Sequence, residues 1–316
     1  MRATRRRLLI AGAAAVACPF RAAASDAALR IILPFSAGSP TDAAVRLMLQ
    51  PLSAQLQTDA VIENMPGAVA TIAALAVIKS PKDGRTIMIG TNTSHSAAPS
   101  LFRKLAYDPV ADFEPLARLY FLPLFLVCRT ELVAASAGDL LALSKNGPPL
   151  TYAWQHSTAR VGGETLRVAG GRIVGVPYRT HTQALIDVMS GVVDFGFVDY
   201  VTAQQMATAG RLRILGITAT EPSMLAPSVP PIAASVPGFD IVSWAGAFAP
   251  AGVTKPVATR LADAFLTVMA VPDVVRHLAA YGCTPAPLGG AAFKDFLLQQ
   301  LTAWREKIKA ADIAPS

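Results

Sequence analysis

The chain has 316 residues, of which 53% are hydrophobic and 16% charged, so it is long enough for a large core and too apolar for extensive disorder. Its net charge of +7 is concentrated at one end. Residues 1–24 contain five arginines and no acidic residue, and removing these five charges leaves +2 for the rest. Because the chain after residue 24 is nearly neutral, it lacks the basic surface that nucleic-acid backbones require, so we exclude nucleic acid as a partner.

Residues 1–24 have the pattern of an export signal. The positive segment Arg5-Arg6-Arg7 precedes an apolar stretch at residues 8–18, which is too short to span a bilayer comfortably. Ala22-Ala23-Ala24 then supplies the small residues of a cleavage site. We therefore predict removal of residues 1–24 and a periplasmic mature protein, by either the twin-arginine or the general export route. The alternative is a cytosolic protein with an apolar leader.

Strands and helices alternate in the first part of the chain. The predicted strands lie at residues 30–35, 60–63 and 86–90, and the helices between them at residues 41–56 and 71–79. Thr41 and Asp42 are suitable caps for the first of these helices. The order strand–helix–strand–helix–strand predicts an α/β fold with a parallel sheet.

A second α/β unit follows with the same rhythm. Its predicted strands lie at residues 124–129, 150–154, 173–176, 195–198 and 213–218, and its helices near residues 137–145, 162–168, 183–190 and 201–209. A strand at residues 242–248 and helices at 256–271, 273–281 and 291–311 complete the chain. We predict one lobe from residues 25–125 with 246–316, and another from 126–245.

The strands at residues 124–129 and 242–248 flank the second unit and are predicted to be the crossings between the lobes. Two crossings permit hinge bending around a ligand held in the cleft between the lobes. The alternative is a pair of fixed subdomains that share one core.

Polar loops follow several predicted strands, at the ends where ligands bind in open α/β sheets. Two turn-rich loops, at residues 34–42 and 63–68, each open a helix and so offer free backbone N–H groups to a small anion. Further polar segments rich in hydroxyl groups lie at residues 91–96, 154–160 and 178–182. Such groups donate hydrogen bonds to a carboxylate without a full counter-charge. Ordinary helix capping is the alternative for each loop.

Individual side chains in these loops have two interpretations each. Three loop histidines are candidate donors to an anion, or are merely solvated: His95, His156 and His181. Arg160 and Arg179 are candidate carboxylate clamps or surface charges. Asp199 either accepts a hydrogen bond from a ligand or caps the next helix. Trp154 and Tyr178 either wall the cleft or pack between strand and helix.

The sequence contains no recognisable catalytic or cofactor motif. A G-x-S-x-G elbow, a P-loop and a G-x-G-x-x-G fingerprint are all missing from it. Its four histidines have no metal-ligand spacing, so no metal or cofactor is expected. Cys128 and Cys283 remain after signal cleavage and are either two separate buried thiols or, in an oxidising compartment, a disulfide.

Several short motifs resemble, in order and spacing, the substrate-binding proteins of tripartite tricarboxylate transporters, the Bug family of periplasmic receptors. The resemblance covers nearly the whole chain after residue 24. The matching segments are residues 31–35 with Gly38, Thr41 and Asp42, then residues 61–64, 66–68, 83–84, 90–91, 107–110, 112–113, 176–178, 243–244 and 249–252.

The resemblance implies a type II periplasmic-binding-protein fold, whose two lobes close on a small carboxylate. It further implies a di- or tricarboxylate or related organic acid as ligand, membrane permease subunits as partners, and no enzymatic activity. A ligand sensor without transport is an alternative, and a periplasmic enzyme on the same scaffold is a less favoured one. The predicted ligand-binding residues are Ser36, Gly38, Ser39, Thr41, Asp42, Gly67, Ala68, Thr91, Thr93, Ser157, Thr158, Tyr178, Thr182 and Asp199.

The chain departs from the family pattern in the two anion-binding loops. Pro40 follows Gly38-Ser39, where the family usually has adjacent glycines, and proline has no N–H to donate. Val69 and Ala70 stand where a glycine is usual, so their side chains are expected to obstruct close backbone approach. The fold is expected to survive these changes, but they leave retention of dicarboxylate binding open.

Overall fold

The computed structural model describes residues 28–316, and the predicted export signal at residues 1–24 lies outside them. In chain order the strands are Leu29–Leu33 (β1), Ala60–Asn64 (β2), Thr86–Thr91 (β3), Phe113–Leu122 (β4), Phe125–Arg129 (β5), Leu150–Trp154 (β6), Ile173–Pro177 (β7), Phe195–Val198 (β8), Leu212–Ile217 (β9), Ser243–Pro250 (β10) and Thr284–Gly289 (β11). The α-helices are Pro40–Leu56 (α1), Thr71–Ile78 (α2), Ala98–Leu101 (α3), Ala137–Asn146 (α4), Ser157–Val168 (α5), His181–Met189 (α6), Tyr200–Thr208 (α7), Lys255–Met269 (α8), Pro272–Ala280 (α9) and Gly290–Ala310 (α10).

The strands form two sheets that share one plan. The six-stranded sheet has the order β11-β4-β10-β3-β1-β2, and the five-stranded sheet has the order β7-β6-β8-β5-β9. In each, three consecutive strands separated by helices are parallel, β1 to β3 in one and β6 to β8 in the other. An antiparallel strand then lies beside β3 and beside β8. The predicted parallel strand–helix units are thus confirmed.

The chain passes between the sheets twice. It leaves the first sheet after β4 and enters the second through Pro123 and Leu124, and it returns through residues 218–242 between β9 and β10. We call the six-stranded sheet with α1–α3 and α8–α10 the first lobe, and the five-stranded sheet with α4–α7 the second lobe. The lobe limits drawn from the sequence stay a prediction.

Two strands of the first lobe differ from the sequence prediction, which had none there. β4 pairs on both sides, although it contains Pro115, which cannot donate to a ladder. The register of β4 with β10 shifts beside Pro115, so that an irregularity absorbs the missing donor. β11 contains Pro285 and Pro287 and lies at the edge of the sheet, where proline is tolerated.

The C-terminal helix ties the lobes together. α10 buries Phe293, Leu297 and Trp304, which recur at helical spacing. Beyond its end, Asp312 accepts a hydrogen bond at 3.3 Å from Arg167 Nη2 on α5 of the second lobe. Within residues 28–316, no helix has the length and apolar composition to cross a bilayer.

Candidate functional site

A cavity of about 660 Å³ lies between the two lobes. Residues of the first lobe line one side and residues of the second lobe line the other. Most of them follow the carboxyl ends of β1, β2, β6 and β7, where open α/β sheets bind ligands. The lining consists of Pro34, Phe35, Ser36, Ser39, Pro40, Thr41, Pro66, Gly67, Ala68, Val69, Ala70, Thr93, Leu122, Leu124, Trp154, Gln155, His156, Thr158, Pro177, Tyr178, Arg179, Thr180, His181 and Ser243.

The loop before α1 is held by a buried carboxylate. Asp42 accepts from the Gly38 amide at 2.9 Å, from Asn64 Nδ2 at 3.0 Å, and from Arg46 at 2.8 Å and 3.1 Å. Burial acts to raise the pKa of Asp42, but these hydrogen bonds outweigh it and the pKa is lowered. The hydroxyl of Ser39 caps α1 by accepting from the Asp42 amide at 3.3 Å. Asp42 therefore fixes the loop's shape, while Ser39 reaches the cavity.

The loop after β2 adopts an uncommon backbone conformation. Ala68, Val69 and Ala70 have φ values of 44°, 49° and 74°, in the left-handed region that residues with a Cβ atom rarely occupy. The sequence predicts that Val69 and Ala70 obstruct backbone approach at this point. In the structure the backbone here is left-handed, and a short helical turn forms over Ala68–Ala70. The expected obstruction stays a prediction. Since strained backbone clusters at functional sites, this loop is a strong candidate for ligand contact.

A buried hydrogen-bond network joins the lobes beside the cavity. Asn92 Nδ2 donates to Ser157 Oγ at 3.1 Å and to Thr158 Oγ1 at 2.9 Å, and Asn92 Oδ1 accepts from Ser243 Oγ at 2.6 Å. Thr93 Oγ1 lies 2.9 Å from Ser157 Oγ. Asn92 and Thr93 follow β3 in the first lobe, whereas Ser157 and Thr158 begin α5 in the second. The network therefore links both lobes at the cavity wall.

Two imidazoles line the second-lobe side of the cavity. His156 caps α5, because its Nδ1 accepts from the Ala159 amide at 3.1 Å. His181 is the first residue of α6, and its Nδ1 lies 3.0 Å from Gln155 Nε2. Its Nε2 lies 4.0 Å from Asp199 Oδ2. This side of the cavity is thus formed by the N-terminal ends of two helices and by imidazole groups.

Aromatic rings close the same side. Trp154 lines the cavity, and the Arg160 guanidinium lies 5.0 Å from the centre of its ring. Tyr178 donates its hydroxyl proton to Asp187 Oδ2 at 2.8 Å. Arg179 is exposed and is the charged residue of the lining. Arg160 therefore supports the wall from behind, and Arg179 lies at the cavity rim.

The sequence model of one protein family, described as the tripartite tricarboxylate transporter family receptor, matches residues 44–313 of this chain. The chain belongs to this receptor family. The resemblance found in the sequence is thereby confirmed, and the family consists of substrate-binding receptors rather than enzymes.

Individual relatives of the receptor agree with this assignment. Protein BugT of Bordetella pertussis is 26% identical over 282 residues, which cover 87% of this chain and 86% of BugT. The structure of Rhodopseudomonas palustris Rpa4515 with adipate is 28% identical, with a TM-score of 0.85 over 92% of this chain and 98% of that one. MatC from the same organism, with bound malate, is 28% identical, with a TM-score of 0.79 over 89% and 98% of the two chains. The predicted two-lobed periplasmic-binding-protein fold is confirmed by these structures.

Eight of the fourteen predicted ligand-binding residues line the receptor's cavity, namely Ser36, Ser39, Thr41, Gly67, Ala68, Thr93, Thr158 and Tyr178. The other six lie outside the lining, namely Gly38, Asp42, Thr91, Ser157, Thr182 and Asp199. Most of these six have a structural contact instead. Gly38 bonds to Asp42, Thr91 Oγ1 accepts from the Thr93 amide, Ser157 joins the Asn92 network, and Asp199 caps α7.

The three loop histidines lie in different surroundings. His156 and His181 reach the cavity, as one interpretation of the sequence proposed. His95 is fully buried in the first lobe, where its ring stacks on Phe248 with 3.7 Å between ring centres. Burial lowers the pKa of His95 to about 3, so it is a neutral core residue.

Other site residues carry little signal in the sequence. Asn92 lies in a polar run but is not distinguished there from its neighbours, since its partners are more than sixty residues away. Leu122 lines the cavity because β4 ends there, and β4 is absent from the sequence prediction. Leu124, which the sequence placed at the start of a strand, lines the cavity from the segment between β4 and β5. Cys128 and Cys283 are both free and buried, so of the two alternatives the structure has separate thiols. Among residues 28–316, no cluster of His, Cys, Asp and Glu is arranged to hold a metal ion.

Proposed function

We propose that this receptor is exported to the periplasm, binds a small organic carboxylate in the cavity between its lobes, and presents it to the membrane subunits of a tripartite tricarboxylate-type transporter. Family membership supports the receptor role and the transporter partnership. The adipate bound to Rpa4515 and the malate bound to MatC support an organic acid as the ligand class.

The observation that carries the proposal is the convergence of helix starts on one cavity. The capping residues of α1, α5 and α6 are Ser39, His156 and Thr180, and all three line it. The turn at Ala68–Ala70, which leads into α2, lines it too. The first N–H groups of a helix have no partner within the helix, and the helix dipole favours an anion beside them. Starts of helices from both lobes therefore surround a space suited to a carboxylate.

One carboxylate group of the ligand is assigned to the first lobe. There the hydroxyls of Ser36, Ser39 and Thr41 and the backbone of Gly67 and Ala68 offer donors without a cationic side chain. Gly38 and Asp42 act from behind by holding the first loop.

The rest of the ligand lies against the second lobe, where Thr158, Tyr178 and the imidazoles orient it. Thr93 contributes from the first lobe, and Thr91, Ser157, Thr182 and Asp199 support these elements. The apolar lining, including Phe35, Leu122 and Trp154, fits a carbon skeleton between the polar ends. Closure of the lobes then excludes water, and the closed form is the one the membrane subunits recognise.

Isothermal titration calorimetry with adipate, malate, citrate, hexanoate and benzoate tests carboxylate binding. We expect Ser36→Ala to weaken binding of the preferred acid by about tenfold, because a hydrogen bond to a charged group is worth about 1.5–3 kcal/mol. Ser228→Ala is the matched control, since Ser228 is exposed and outside the cavity lining. A folded sample that binds none of these acids would contradict the proposal.

Uptake by intact cells tests the transporter partnership. Deletion of the gene is expected to abolish uptake of the acid identified by calorimetry, and a plasmid-borne copy is expected to restore it. Unchanged uptake after deletion, with binding intact in vitro, would indicate a sensor rather than a transport receptor.

A further inference from the structure

The second-lobe side of the cavity holds two imidazoles whose hydrogen bonds differ. His156 and His181 cap or begin neighbouring helices, α5 and α6, which follow the adjacent parallel strands β6 and β7. Both imidazoles line the cavity that the proposed function assigns to an acid. What each can donate, and whether it can take up a proton, follows from its contacts.

His156 is fixed as a neutral donor. Its Nδ1 accepts the Ala159 amide proton at 3.1 Å, so the ring proton lies on Nε2. Protonation of Nδ1 would break the cap of α5. Burial lowers the pKa of His156 to about 3, and the neighbouring His181 adds to the effect. His156 therefore offers one N–H to a ligand at every pH at which the protein is used.

His181 has contacts that allow it to gain a proton. The Gln155 amide nitrogen lies 3.0 Å from Nδ1 and can only donate, which places the ring proton on Nε2. A half-turn of the Gln155 amide presents its oxygen instead, which accepts a proton placed on Nδ1. Within the described residues Nε2 is buried without a hydrogen-bond partner, and Asp199 Oδ2 lies 4.0 Å away. In the charged form Nδ1 can therefore donate to Gln155, and Nε2 lies at ion-pair distance from Asp199.

In the free protein, the surroundings of His181 disfavour a proton on its ring. Asp199 faces it from the start of α7, but its carboxylate already accepts from the amide and hydroxyl of Thr202 at 3.0 Å and 2.6 Å. Burial lowers the pKa of His181, and Asp199 opposes this only in part. The remaining titratable or charged neighbours are His156, exposed Arg179, Tyr178 bonded to Asp187, and Cys283 behind Asp199.

We propose that the cavity binds its acid together with a proton, which His181 holds between the ligand and Asp199. The inference rests on the proposed function, because an anion must enter the cavity. A carboxylate beside His181 adds a second negative charge to that of Asp199 and so stabilises the imidazolium. The acid arrives as an anion, a proton from solvent forms an N–H bond at Nδ1 of His181, and no other covalent bond forms or breaks.

The linkage has a defined sign. On this proposal, the pKa of His181 is higher in the complex than in the free protein. The affinity for the acid is therefore greatest at pH values below the pKa of the free protein. The affinity falls as the pH rises from that pKa to the pKa in the complex. Between the two values the dissociation constant changes by up to about tenfold per pH unit. Binding thus strengthens on acidification.

Calorimetry of the wild-type protein measures the proton directly. Adipate is titrated first, then hexanoate and benzoate, between about pH 6 and pH 8.5, above the range in which carboxylates titrate. At each pH the titration is repeated in two phosphate-free buffers, one a sulfonate type and one an amine, whose heats of ionisation differ. We expect net uptake of up to about one proton per acid bound, with affinity rising as pH falls.

Three variants locate the proton. His181→Gln is expected to bind with no proton uptake and no pH dependence in this range. His156→Asn keeps the cap of α5, because the asparagine oxygen can accept the Ala159 amide, and it is expected to weaken binding while keeping the pH dependence. His277→Gln is the control, since His277 is exposed on α9 outside the cavity, and it is expected to match the wild type.

The outcomes separate this inference from the proposed function. Binding of an acid with no proton uptake, or a pH dependence that persists in His181→Gln, overturns the inference and leaves the receptor function standing. If none of these three acids binds at any pH, and malate and citrate do not bind either, the proposed function fails and the inference fails with it. The wild-type buffer comparison decides the matter even where a variant does not fold.

Discussion

At the scale of single residues, Asp42 combines a position beside the cavity with a structural task. Its carboxylate is 2% exposed and accepts hydrogen bonds from Gly38, Arg46 and Asn64. Because Asp42 belongs to a loop that matches the family's motif, the sequence predicts that it contacts the ligand. The structure assigns it to the loop, because each oxygen is already engaged by protein donors.

Asp42→Asn is expected to lower the free energy of unfolding by about 1–3 kcal/mol at neutral pH, since it removes hydrogen bonds to a charged group. The half-exposed Arg46 can regain solvent, which keeps the loss below that of a fully buried pair. The lowered pKa of Asp42 means that its contribution is present above the ordinary value of 3.8 and is lost as pH falls through the folded-state value.

Urea denaturation at neutral and strongly acidic pH measures this difference. Asp263→Asn, on an exposed position of α8, is the control. If the difference in the free energy of unfolding between the wild type and Asp42→Asn stays constant down to strongly acidic pH, the ionised carboxylate of Asp42 does not stabilise the loop.

Val69 is a second informative residue, because a β-branched side chain occupies φ 49° and ψ 52°. Left-handed backbone costs a residue with a Cβ atom about 1–2 kcal/mol, whereas glycine adopts it freely. Val69→Gly is therefore expected to leave stability unchanged or raise it by up to about 1 kcal/mol, after the entropy of glycine is subtracted.

Val133→Gly is the matched comparison, since Val133 is 80% exposed and does not have a positive φ. The free energy of unfolding of Val133→Gly is expected to be about 0.5–1 kcal/mol lower than that of the wild type. Equal losses in both variants, measured by thermal denaturation, would show that Val69 is not strained.

At the scale of elements, the start of α5 and the end of β3 meet through Asn92. The hydroxyls of Ser157, Thr158 and Ser243 all bond to its amide, and Asn92 is fully buried. Buried polar networks are stable only when every member is satisfied. Asn92 and Ser243 both lie in the first lobe, whereas Ser157 and Thr158 lie in the second, so the bonds to Ser157 and Thr158 exist only while the lobes are together.

Asn92→Ala is expected to weaken ligand binding by roughly thirtyfold, equivalent to about 2 kcal/mol for the lost bonds. Most of the change should appear as faster dissociation, because opening of the lobes no longer breaks these bonds. Stopped-flow dissociation of the acid found by calorimetry measures it, with Asn146→Ala on an exposed position as the control. An unchanged dissociation rate would show that the network does not contribute to closure.

At the scale of the whole molecule, the sequence predicts the architecture well where local signals agree. The alternation of apolar strands and capped helices predicts the parallel units β1–β3 and β6–β8, and the observed bounds differ by a few residues. β4 is missed because Pro115 and its charged neighbours hide a strand whose pairing depends on β10 and β11. Strand pairing across a long stretch of chain leaves little local trace.

The strand–helix rhythm and the loops that carry donors can be predicted from the sequence alone, because periodicity, caps and turns are local properties of the chain. The family follows from the resemblance of its short motifs. Which donors face the cavity depends on the tertiary structure. Asp42 and Ser39 are three residues apart, yet the carboxylate of Asp42 is hydrogen-bonded to protein groups, whereas Ser39 lines the cavity. His95 and His181 follow strands in the same way, yet one stacks in a core and the other lines the cavity. For the two histidines, the difference lies in partners distant in sequence, Phe248 for His95 and Gln155 for His181. For Asp42, it lies in the fold of the loop, which brings Gly38, Arg46 and Asn64 to one carboxylate.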